Sequence, residues 1–485
     1  MFSKIVEAVN NVVWSPALVA LLIFAGLFFT FRTRFVQVRR LGLMVRLLFT
    51  KHDDPSAENT GETAEAVIPK NKVSSFSAFC MALSGRVGTG NIVGVATAIA
   101  LGGPGAVFWM WIIAFFGAST AFVESTLAQI YRFPHHSSFR GGPFCYIQEG
   151  LHQRWLGIAF AIIGIIGYGM FLTTVQANGA SQAFFNSYNI SPLTTGIGLA
   201  LLLAIVIIGG VKRIADVASV VTPFMALGYI LIALVVLICN ARQIPFLLGQ
   251  IVTNAFGINP VAGGIIGSTI MMGVKRGIFS NEAGQGGGAI VSATANTKHP
   301  AQQGLVQAFS VYVDTLLVCT ATALMILSAG TYNVFDSKTG EMLVANAPEL
   351  GNNYVYFTQS AVDSVFGGFG SQFVTIALIF FVFTTLMAYY FYSESSIIYI
   401  CREVARKHNK RYSRKLEDFF IWTFRILLLA SVVFGAVRET DVIWKLGDIG
   451  VGLMAWINVI AILILSPQAI RALREYEEKQ KRSPR

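Results

Sequence analysis

Apolar stretches long enough to cross a lipid bilayer follow one another along most of the 485-residue chain. A helix of about 20 apolar residues spans the hydrocarbon core of a bilayer. Eleven segments have this character and are predicted to be transmembrane helices: 12–31, 73–101, 104–131, 155–185, 193–210, 214–240, 261–294, 302–329, 370–401, 417–437 and 441–467. Only 13% of the residues are charged, about half the fraction of an ordinary soluble domain. The sequence therefore predicts an all-α protein that crosses the lipid bilayer many times.

The distribution of basic residues predicts how the chain is oriented. Of the 36 Lys and Arg residues, 27 lie in one alternating set of loops, whereas Lys4, Arg242, Lys338 and Arg438 lie in the other set. Cytoplasmic loops carry the excess of Lys and Arg. We therefore predict an outer N-terminus and a cytoplasmic C-terminus. The loops also account for the net charge of +11, so no nucleic-acid partner is predicted.

The chain lacks the residue patterns of a catalytic site. Its six histidines lie in polar stretches and its five cysteines are scattered. A membrane metalloenzyme needs clustered His and carboxylate ligands, and covalent catalysis needs a nucleophile beside a base. The predicted spans contain neither arrangement. We therefore predict that the protein is not an enzyme and uses no organic cofactor.

Two of the predicted spans are interrupted by glycine. Segment 73–101 contains Gly85, Gly88, Gly90 and Gly94, and segment 261–294 contains six glycines between Gly273 and Gly288. Such clusters favour unwinding, and unwound backbone at membrane depth survives where it lines a cavity or meets a ligand. The alternative is close helix packing, because both clusters contain the GxxxG pattern.

The positions of the two interrupted spans predict an internal repeat. When the first span is set aside, the interrupted spans are the first and the sixth of ten. Two sets of five helices then face opposite ways, as in inverted-repeat transporters. The predicted organisation is an extra N-terminal helix (1–31), a cytoplasmic link (32–72), a first repeat (73–240), an outer connection (241–260), a second repeat (261–467) and a cytoplasmic tail (468–485).

The first interruption has the chemistry to hold a zwitterion. A half-helix that starts at Thr89, Gly90 and Asn91 offers free N–H groups and a positive dipole end, which suit a carboxylate. The carbonyls freed between Ser84 and Val87 suit a cation or an ammonium group. An amino acid together with a sodium ion would satisfy both ends.

Three motifs resemble the alanine or glycine:cation symporter family. They are GGPGAVFWMWIIAFFG (Gly102–Gly117), ALSGRVGTGNIVGVATAI before it, and GVKRGIFSNEAGQGGGAI (Gly273–Ile290). The likeness runs from roughly residue 12 to residue 467. It implies a leucine-transporter-like fold with one extra N-terminal helix, sodium coupling and small neutral amino acids as substrates. It also implies the plasma membrane of a prokaryote, which is the inner membrane in a Gram-negative cell.

The resemblance also implies roles for residues of the first interruption. It puts Thr89, Gly90 and Asn91 at the substrate carboxylate. It implies a sodium site formed by the carbonyls of Ser84 and Val87 and by two hydroxyls, those of Thr384 and Thr385. Glu124 resembles a buried carboxylate that braces unwound backbone. Because Arg86 stands where related transporters often carry a small residue of a second sodium site, a second ion is not predicted.

The other polar residues of the spans are assigned one at a time. From the residues alone Gln176 could contact substrate or form an interhelical hydrogen bond, and the family resemblance implies substrate contact. Phe279, Ser280 and Asn281 are predicted to line the pocket at the second interruption. Glu282 is predicted to support the site, although it could instead be only the ion-pair partner of Arg86 or Arg276. The intramembrane acids Asp314 and Glu394 have no assigned partner.

Together these features predict a sodium-coupled symporter that imports alanine, with glycine as a second candidate, by alternating access. The rivals are a proton-coupled transporter or an amino-acid exchanger of the same fold. An ion channel is a more distant rival, because channels typically gather short segments from several chains around one pore. The predicted partners are therefore a small neutral amino acid, sodium and the lipid bilayer, and no oligomeric state is predicted.

Overall fold

The computed structural model describes residues 2–50, 73–136, 138–257, 266–337, 339–407 and 413–482. Most of the predicted cytoplasmic link, the end of the predicted outer connection, Lys338 and the last three residues lie outside these ranges. The described chain is helical almost throughout, as the all-α prediction requires. Its short strands form two antiparallel pairs, in which Phe133 pairs with Arg140 and Asn333 pairs with Ala345.

The elements of the N-terminal half are, in chain order, α1 (Phe2–Val13), α2 (Pro16–Arg32), α3 (Val36–Arg39), α4 (Leu41–Phe49), α5 (Ser75–Arg86), α6 (Val95–Gly102), α7 (Gly105–Ile130), β1 (Phe133–His135), β2 (Ser138–Arg140), α8 (Pro143–Leu151), α9 (Arg154–Ile166), α10 (Thr173–Tyr188), α11 (Pro192–Ile207), α12 (Gly210–Cys239) and α13 (Ile244–Ala255). Single wide turns of π-helix, Gly90–Gly94 and Gly167–Leu172, lead into α6 and α10. Such π-turns occur frequently at functional sites.

The elements of the C-terminal half are α14 (Ile266–Asn281), α15 (Gly287–Ser292), α16 (Pro300–Val311), α17 (Thr320–Ala329), β3 (Asn333–Phe335), β4 (Met342–Ala345), α18 (Tyr354–Phe366), α19 (Phe369–Lys407), α20 (Arg414–Val437) and α21 (Thr440–Arg482). A third π-helical segment, Tyr312–Cys319, joins α16 to α17. Helix α7 packs against α14 and α16, so the two halves are in direct contact.

Eight helical stretches in the described chain are long and apolar enough to cross a membrane: Ser3–Arg32, Gly105–Ile130, Arg154–Tyr188, Gly210–Cys239, Pro300–Ala329, Phe369–Lys407, Arg414–Val437 and Thr440–Arg482. Of the other three predicted spans, one is the shorter apolar helix α11, and the remaining two are the interrupted segments. The structure is therefore that of a multi-pass membrane protein. The count of eleven spans and the inverted repeat stay predictions.

The distribution of side chains is that of a protein surrounded by lipid. Helix α12 leaves the apolar side chains of Val220, Phe224 and Ile238 largely exposed, whereas Glu124 and Asp314 are fully buried. A polar group facing hydrocarbon has no water to bond, so polar side chains collect inside the bundle. The interior polar residues are therefore where a transport site is to be sought.

The first of the apolar helical stretches, Ser3–Arg32, is broken near its middle, and most of the predicted span 12–31 corresponds to α2. Helix α1 ends at Val13, and α2 begins with Pro16, which lacks the N–H that a continuous helix would need. The joint is fixed to α21, because the indole N–H of Trp14 donates to the Asp448 carbonyl at 2.8 Å and that of Trp456 donates to the Val13 carbonyl at 3.0 Å.

Candidate functional site

The first interrupted helix unwinds at Val87 and Gly88. Helix α5 ends at Arg86, and Val87 has an extended backbone with φ −79° and ψ 92°. The helix resumes at Thr89 and continues as the π-turn Gly90–Gly94. The break therefore falls within the predicted glycine cluster, between the carbonyls of Ser84 and Val87 and the half-helix that starts at Thr89.

The second interrupted helix unwinds between α14 and α15. Glu282, Gly284 and Gly286 all have positive φ angles, of 54°, 89° and 96°. Glycine adopts this conformation freely, whereas a glutamate adopts it at a cost. A strained residue of this kind persists where the surrounding structure holds it in place, and such positions cluster at ligand sites.

The two interruptions touch each other. A Cβ atom added at Gly90 would lie 3.2 Å from Cδ1 of Phe279 and 3.3 Å from Cα of Ser280. One at Gly88 would lie 2.6 Å from the Thr385 hydroxyl and 2.8 Å from Oε1 of Gln176. The glycines therefore allow α19, α10 and the second break to approach the unwound backbone of the first break.

Thr385 lies at the carbonyls that the sequence assigns to sodium, and Thr384 does not. The Thr385 hydroxyl oxygen is 2.8 Å from the Ser84 carbonyl oxygen and 3.2 Å from that of Val87. The Thr384 hydroxyl instead lies 3.0 Å from the carbonyl oxygens of Phe380 and Phe381 in its own helix. The structure thus brings together three of the four predicted sodium ligands.

Side-chain amides occupy the backbone N–H groups that open the half-helix. The Gly88 N–H donates to Oδ1 of Asn91 at 2.8 Å, and the Thr89 N–H donates to Oε1 of Gln176 at 2.9 Å. The Thr89 hydroxyl is buried without a hydrogen-bond partner among the described residues. Gln176 therefore forms an interhelical hydrogen bond at the backbone where a substrate carboxylate is predicted, and its contact with the substrate stays a prediction.

Asp314 joins the two interruptions, and sequence reasoning did not assign it this position. Its carboxylate accepts from Nδ2 of Asn91 at 2.6 Å, from the Ser280 hydroxyl at 2.9 Å and from the Thr315 hydroxyl at 2.7 Å. The sulfur of Cys319 lies 3.2 Å from the Ser280 hydroxyl oxygen. The only sequence signal was an acid inside a predicted span, because Asn91 and Ser280, through which it joins the two breaks, are distant from it along the chain.

Asn281 completes the predicted pocket residues. Its Oδ1 accepts from the Ala283 N–H at 3.0 Å, which holds the chain at the end of α14. Its Nδ2 is buried with no partner in the described part of the chain. The ring of Phe279 packs on that of Trp444, with centroids 5.1 Å apart. Asn281 and Thr89 thus each carry a buried polar atom that is free to bind a ligand.

Glu124 is connected to the second interruption through Asn458. The Asn458 amide donates to Oε2 of Glu124 and to the Gly284 carbonyl, both at 2.9 Å. Tyr146 donates to the other end of the same amide. These bonds tie the carboxylate to unwound backbone, and the bracing role of Glu124 stays a prediction. The backbone that they fix belongs to the second interruption.

The charged residues near the second interruption pair with partners other than those considered from the sequence. Asp448 in α21 pairs with Arg276 and, at 2.8 Å, with Lys275. Arg86 donates to Ser310 and to the carbonyl and side chain of Gln307. Glu282 accepts from the Tyr392 hydroxyl at 3.2 Å. Among the described residues, neither Arg86 nor Arg276 forms an ion pair with Glu282.

Glu394, which the sequence left without a partner, belongs to a second polar cluster. It pairs with Arg140 of β2 at 3.0 Å and accepts from the Tyr390 hydroxyl at 2.7 Å. Arg425 of α20 donates to the same tyrosine oxygen at 2.9 Å. Its residues belong to β2, α19 and α20, and none of them lies in either break.

Two unwound helices in contact, with backbone carbonyls, backbone N–H groups held only by side-chain amides, and buried polar atoms around them, define a membrane transporter of small polar solutes. The model of the sodium:alanine symporter family matches residues 1–485, and the chain belongs to this family. The resemblance read from the three motifs is therefore confirmed, and membership in a transporter family agrees with the prediction that the protein is not an enzyme.

Two relatives and one solved structure give the context. The sodium/proton-dependent alanine carrier protein of Bacillus sp. (strain PS3) is 46% identical over 84% of this chain and 89% of its own length. GlnT of Bacillus subtilis (strain 168), named a probable sodium/glutamine symporter, is 42% identical over 99% of this chain and 92% of its own. MhsT, solved with L-phenylalanine, has a TM-score of 0.53 and 14% identity, and the match covers 83% of this chain and 98% of MhsT. The last similarity supports the leucine-transporter-like fold.

Proposed function

We propose that the protein is a sodium-coupled symporter that imports small neutral amino acids by alternating access, with alanine as substrate and glycine as a second candidate. The observation that carries the proposal is the position of the Thr385 hydroxyl on the Ser84 and Val87 carbonyls, beside the half-helix that starts at Thr89. In this proposal the oxygen ligands of the ion lie next to backbone N–H groups that the side chains of Asn91 and Gln176 now occupy. An ion and a carboxylate can then bind side by side and stabilise each other.

In this proposal the sodium ion takes the place now bridged by the Thr385 hydroxyl. The hydroxyl has a single proton, so it cannot donate fully to the Ser84, Val87 and Phe381 carbonyls at once. Each carbonyl therefore keeps lone pairs for a hard cation. Thr384 would become the fourth ligand after rotation of its side chain away from its own helix.

The substrate carboxylate is proposed to bind at the N–H groups of Thr89 and Gly90. Gln176 would release the Thr89 N–H and turn to the substrate, and Asn91 and Ser280 would remain on the Asp314 side of the break. Phe279 would face the substrate side chain. The close approach of Phe279 and Ser280 to Gly90 leaves little room, which favours a substrate with a small side chain.

A single sodium ion supplies enough free energy for accumulation. One charge moving down ~100 mV releases ~2.3 kcal/mol, and a tenfold sodium gradient adds ~1.4 kcal/mol. Their sum corresponds to a concentration ratio of roughly 500 for a neutral zwitterion. Coupling to one ion is therefore sufficient for uptake from dilute surroundings.

The test is uptake by proteoliposomes that contain the purified full-length protein. Labelled alanine, glycine, serine and glutamine are offered separately under an imposed sodium, potassium or proton gradient. We expect saturable alanine accumulation with the sodium gradient alone. Accumulation of glutamine in preference to alanine would overturn the proposed substrate, and non-saturating flux would indicate a channel.

Coupling to protons is the second candidate, and Asp314 is the observation that favours it. None of the described cationic side chains forms an ion pair with Asp314: Arg140 pairs with Glu394, Lys275 and Arg276 pair with Asp448, and Arg86 donates to Ser310 and Gln307. A buried carboxylate between the two breaks that lacks a cationic partner is a group on which a coupling proton could bind. Accumulation under a proton gradient without sodium, lost in Asp314→Asn, would establish this mechanism in place of sodium coupling.

A further inference from the structure

Two histidines and a glutamate meet on the loop side that carries the excess of basic residues. His135 ends β1, His136 follows it, and Glu417 lies in the first turn of α20. Nε2 of His135 is 3.2 Å from Oε1 of Glu417, and Nε2 of His136 is 3.9 Å from the same oxygen. One ligand atom from each residue lies within 4.8 Å of the other two. The sequence placed these histidines in an ordinary polar loop.

The geometry points to a site for a divalent transition-metal ion, and we propose that these three side chains bind Zn²⁺. Tetrahedral zinc with bonds of about 2.0–2.1 Å holds its nitrogen and oxygen ligands about 3.3 Å apart; His135 already lies at 3.2 Å from the Glu417 oxygen, and the exposed His136, at 3.9 Å, needs only a small movement. Imidazole and carboxylate are ligands that zinc accepts, and water can complete the set. The second oxygen of Glu417 is buried with no partner in the described part of the chain.

The proposed metal would connect two parts of the molecule that touch the transport core. The hairpin β1–β2 carries Arg140, whose guanidinium is buried against Glu394 of α19. At the end of the hairpin, a Cβ atom at Gly141 would lie 2.8 Å from that of Ala293, just beyond α15. A metal held by His135, His136 and Glu417 would therefore fix α20 to the hairpin. It would restrain the segment that packs on the second interrupted helix.

Arg414 provides an internal test of the proposal. Its guanidinium is exposed and lies 3.5 Å from Nδ1 of His136. A hydrogen bond donated to Nδ1 leaves the proton of a neutral imidazole on Nε2, which is the atom that faces Glu417. The metal therefore competes with Arg414, both through this bond and through charge repulsion. Removal of the guanidinium should strengthen metal binding.

The first experiment is a zinc titration of the purified full-length protein in detergent, with a zinc-binding dye as competitor. We expect one zinc ion per chain. The dissociation constant should be at least tenfold higher in His136→Asn and in Glu417→Gln, and it should be lower in Arg414→Gln. His152→Asn is the matched control, because His136 and His152 are exposed and have similar φ angles of 49° and 55°, which asparagine tolerates. The site would be overturned if the protein, in 100-fold excess over the dye, took no zinc from it, or if His136→Asn and the control bound zinc with equal affinity.

The second experiment asks whether the bound metal restrains transport, and this part rests on the proposed function. Zinc is supplied on the side of the hairpin to proteoliposomes that take up alanine. We expect slower uptake by the wild-type protein and by His152→Asn, and unchanged uptake by His136→Asn. Stoichiometric zinc binding with unchanged uptake in the wild type would overturn the restraint while the site stands. Absent alanine uptake without zinc would instead count against the proposed function.

Discussion

At the scale of single residues, the neighbouring threonines of α19 differ in what their hydroxyls touch. Both hydroxyls contact carbonyls of their own helix, but only that of Thr385 also reaches the unwound backbone of the first break, whereas that of Thr384 lies 3.5 Å from the sulfur of Met225. Successive residues of a helix point about 100° apart. The sequence could name the pair by resemblance, but the difference between them follows from the rotation of α19 against α5.

The two threonines therefore give a matched pair of variants. We expect Thr385→Ala to raise the sodium concentration for half-maximal uptake by about tenfold, equivalent to ~1.4 kcal/mol, because a ligand oxygen is lost. Thr384→Ala should have a smaller effect, and Thr385→Ser should be milder because it keeps the oxygen. Sodium titration of alanine uptake measures all three. Wild-type sodium dependence in Thr385→Ala would remove this site from the mechanism.

A substitution at Gly90 can show whether this glycine makes room for the substrate or only for helix packing. A side chain there would meet both the carboxylate path and Phe279, so we expect Gly90→Val to abolish alanine binding. Gly94→Ala is the control, because its added Cβ would meet its nearest atom, on Trp444, at an ordinary 3.7 Å. Alanine binding and the melting temperature in detergent are measured together. A folded Gly90→Val protein with near-normal affinity would show that Gly90 serves helix packing alone.

At the scale of elements, glycine and apolar length predicted most of the helices but not how their ends are fixed. The predicted tail 468–485 is continuous with the last span, since α21 runs from Thr440 to Arg482 despite Pro467. Its residue Tyr476 is buried, and its ring lies 5.2 Å from that of His299. No pattern in the tail indicates this partner, because His299 is far away in the chain.

His299 predicts a pH effect at the start of α16. Its Nδ1 accepts from the Ala301 N–H at 3.3 Å, which caps the helix, and burial lowers the pKa of its imidazole. The imidazole of the unfolded chain takes up a proton more readily than the folded one. The cap therefore stabilises the folded protein at pH values above the ordinary pKa of histidine. That stability is lost as the pH falls through and below this value.

The measurement is the melting temperature in detergent at pH 7.5 and pH 5. We expect the wild-type protein to lose more stability than His299→Asn on acidification, by about 1 kcal/mol, the usual worth of a helix cap. Asparagine keeps a cap oxygen that does not titrate in this range. An equal loss in the two proteins would mean that other groups account for the acid sensitivity.

At the scale of the whole molecule, composition was sufficient to predict a multi-pass membrane protein, and three motifs were sufficient to predict its family. The site required the structure wherever it depends on residues far apart in sequence. Asp314 binds Asn91, 223 residues away, and Asp448 binds Arg276, 172 residues away. An isolated acid in an apolar span shows that a partner is needed. It does not say which of several polar residues the packing of helices will bring to it.

The orientation of the molecule in the membrane can be tested at two exposed arginines, Arg242 and Arg406. Arg242 lies between α12 and α13, and Arg406 lies near the end of α19. Between them the chain passes through the second interrupted helix, α16–α17 and α19, which is an odd number of crossings. We therefore expect Arg242 outside and Arg406 in the cytoplasm, as the basic loops predict.

The labelling experiment introduces cysteine at each position after replacement of Cys239, the one exposed native cysteine, by serine. In intact cells an impermeant maleimide should label Arg242→Cys alone, and Arg406→Cys should react only after the membrane is opened. Labelling of both from one side would mean that one of the three segments does not cross.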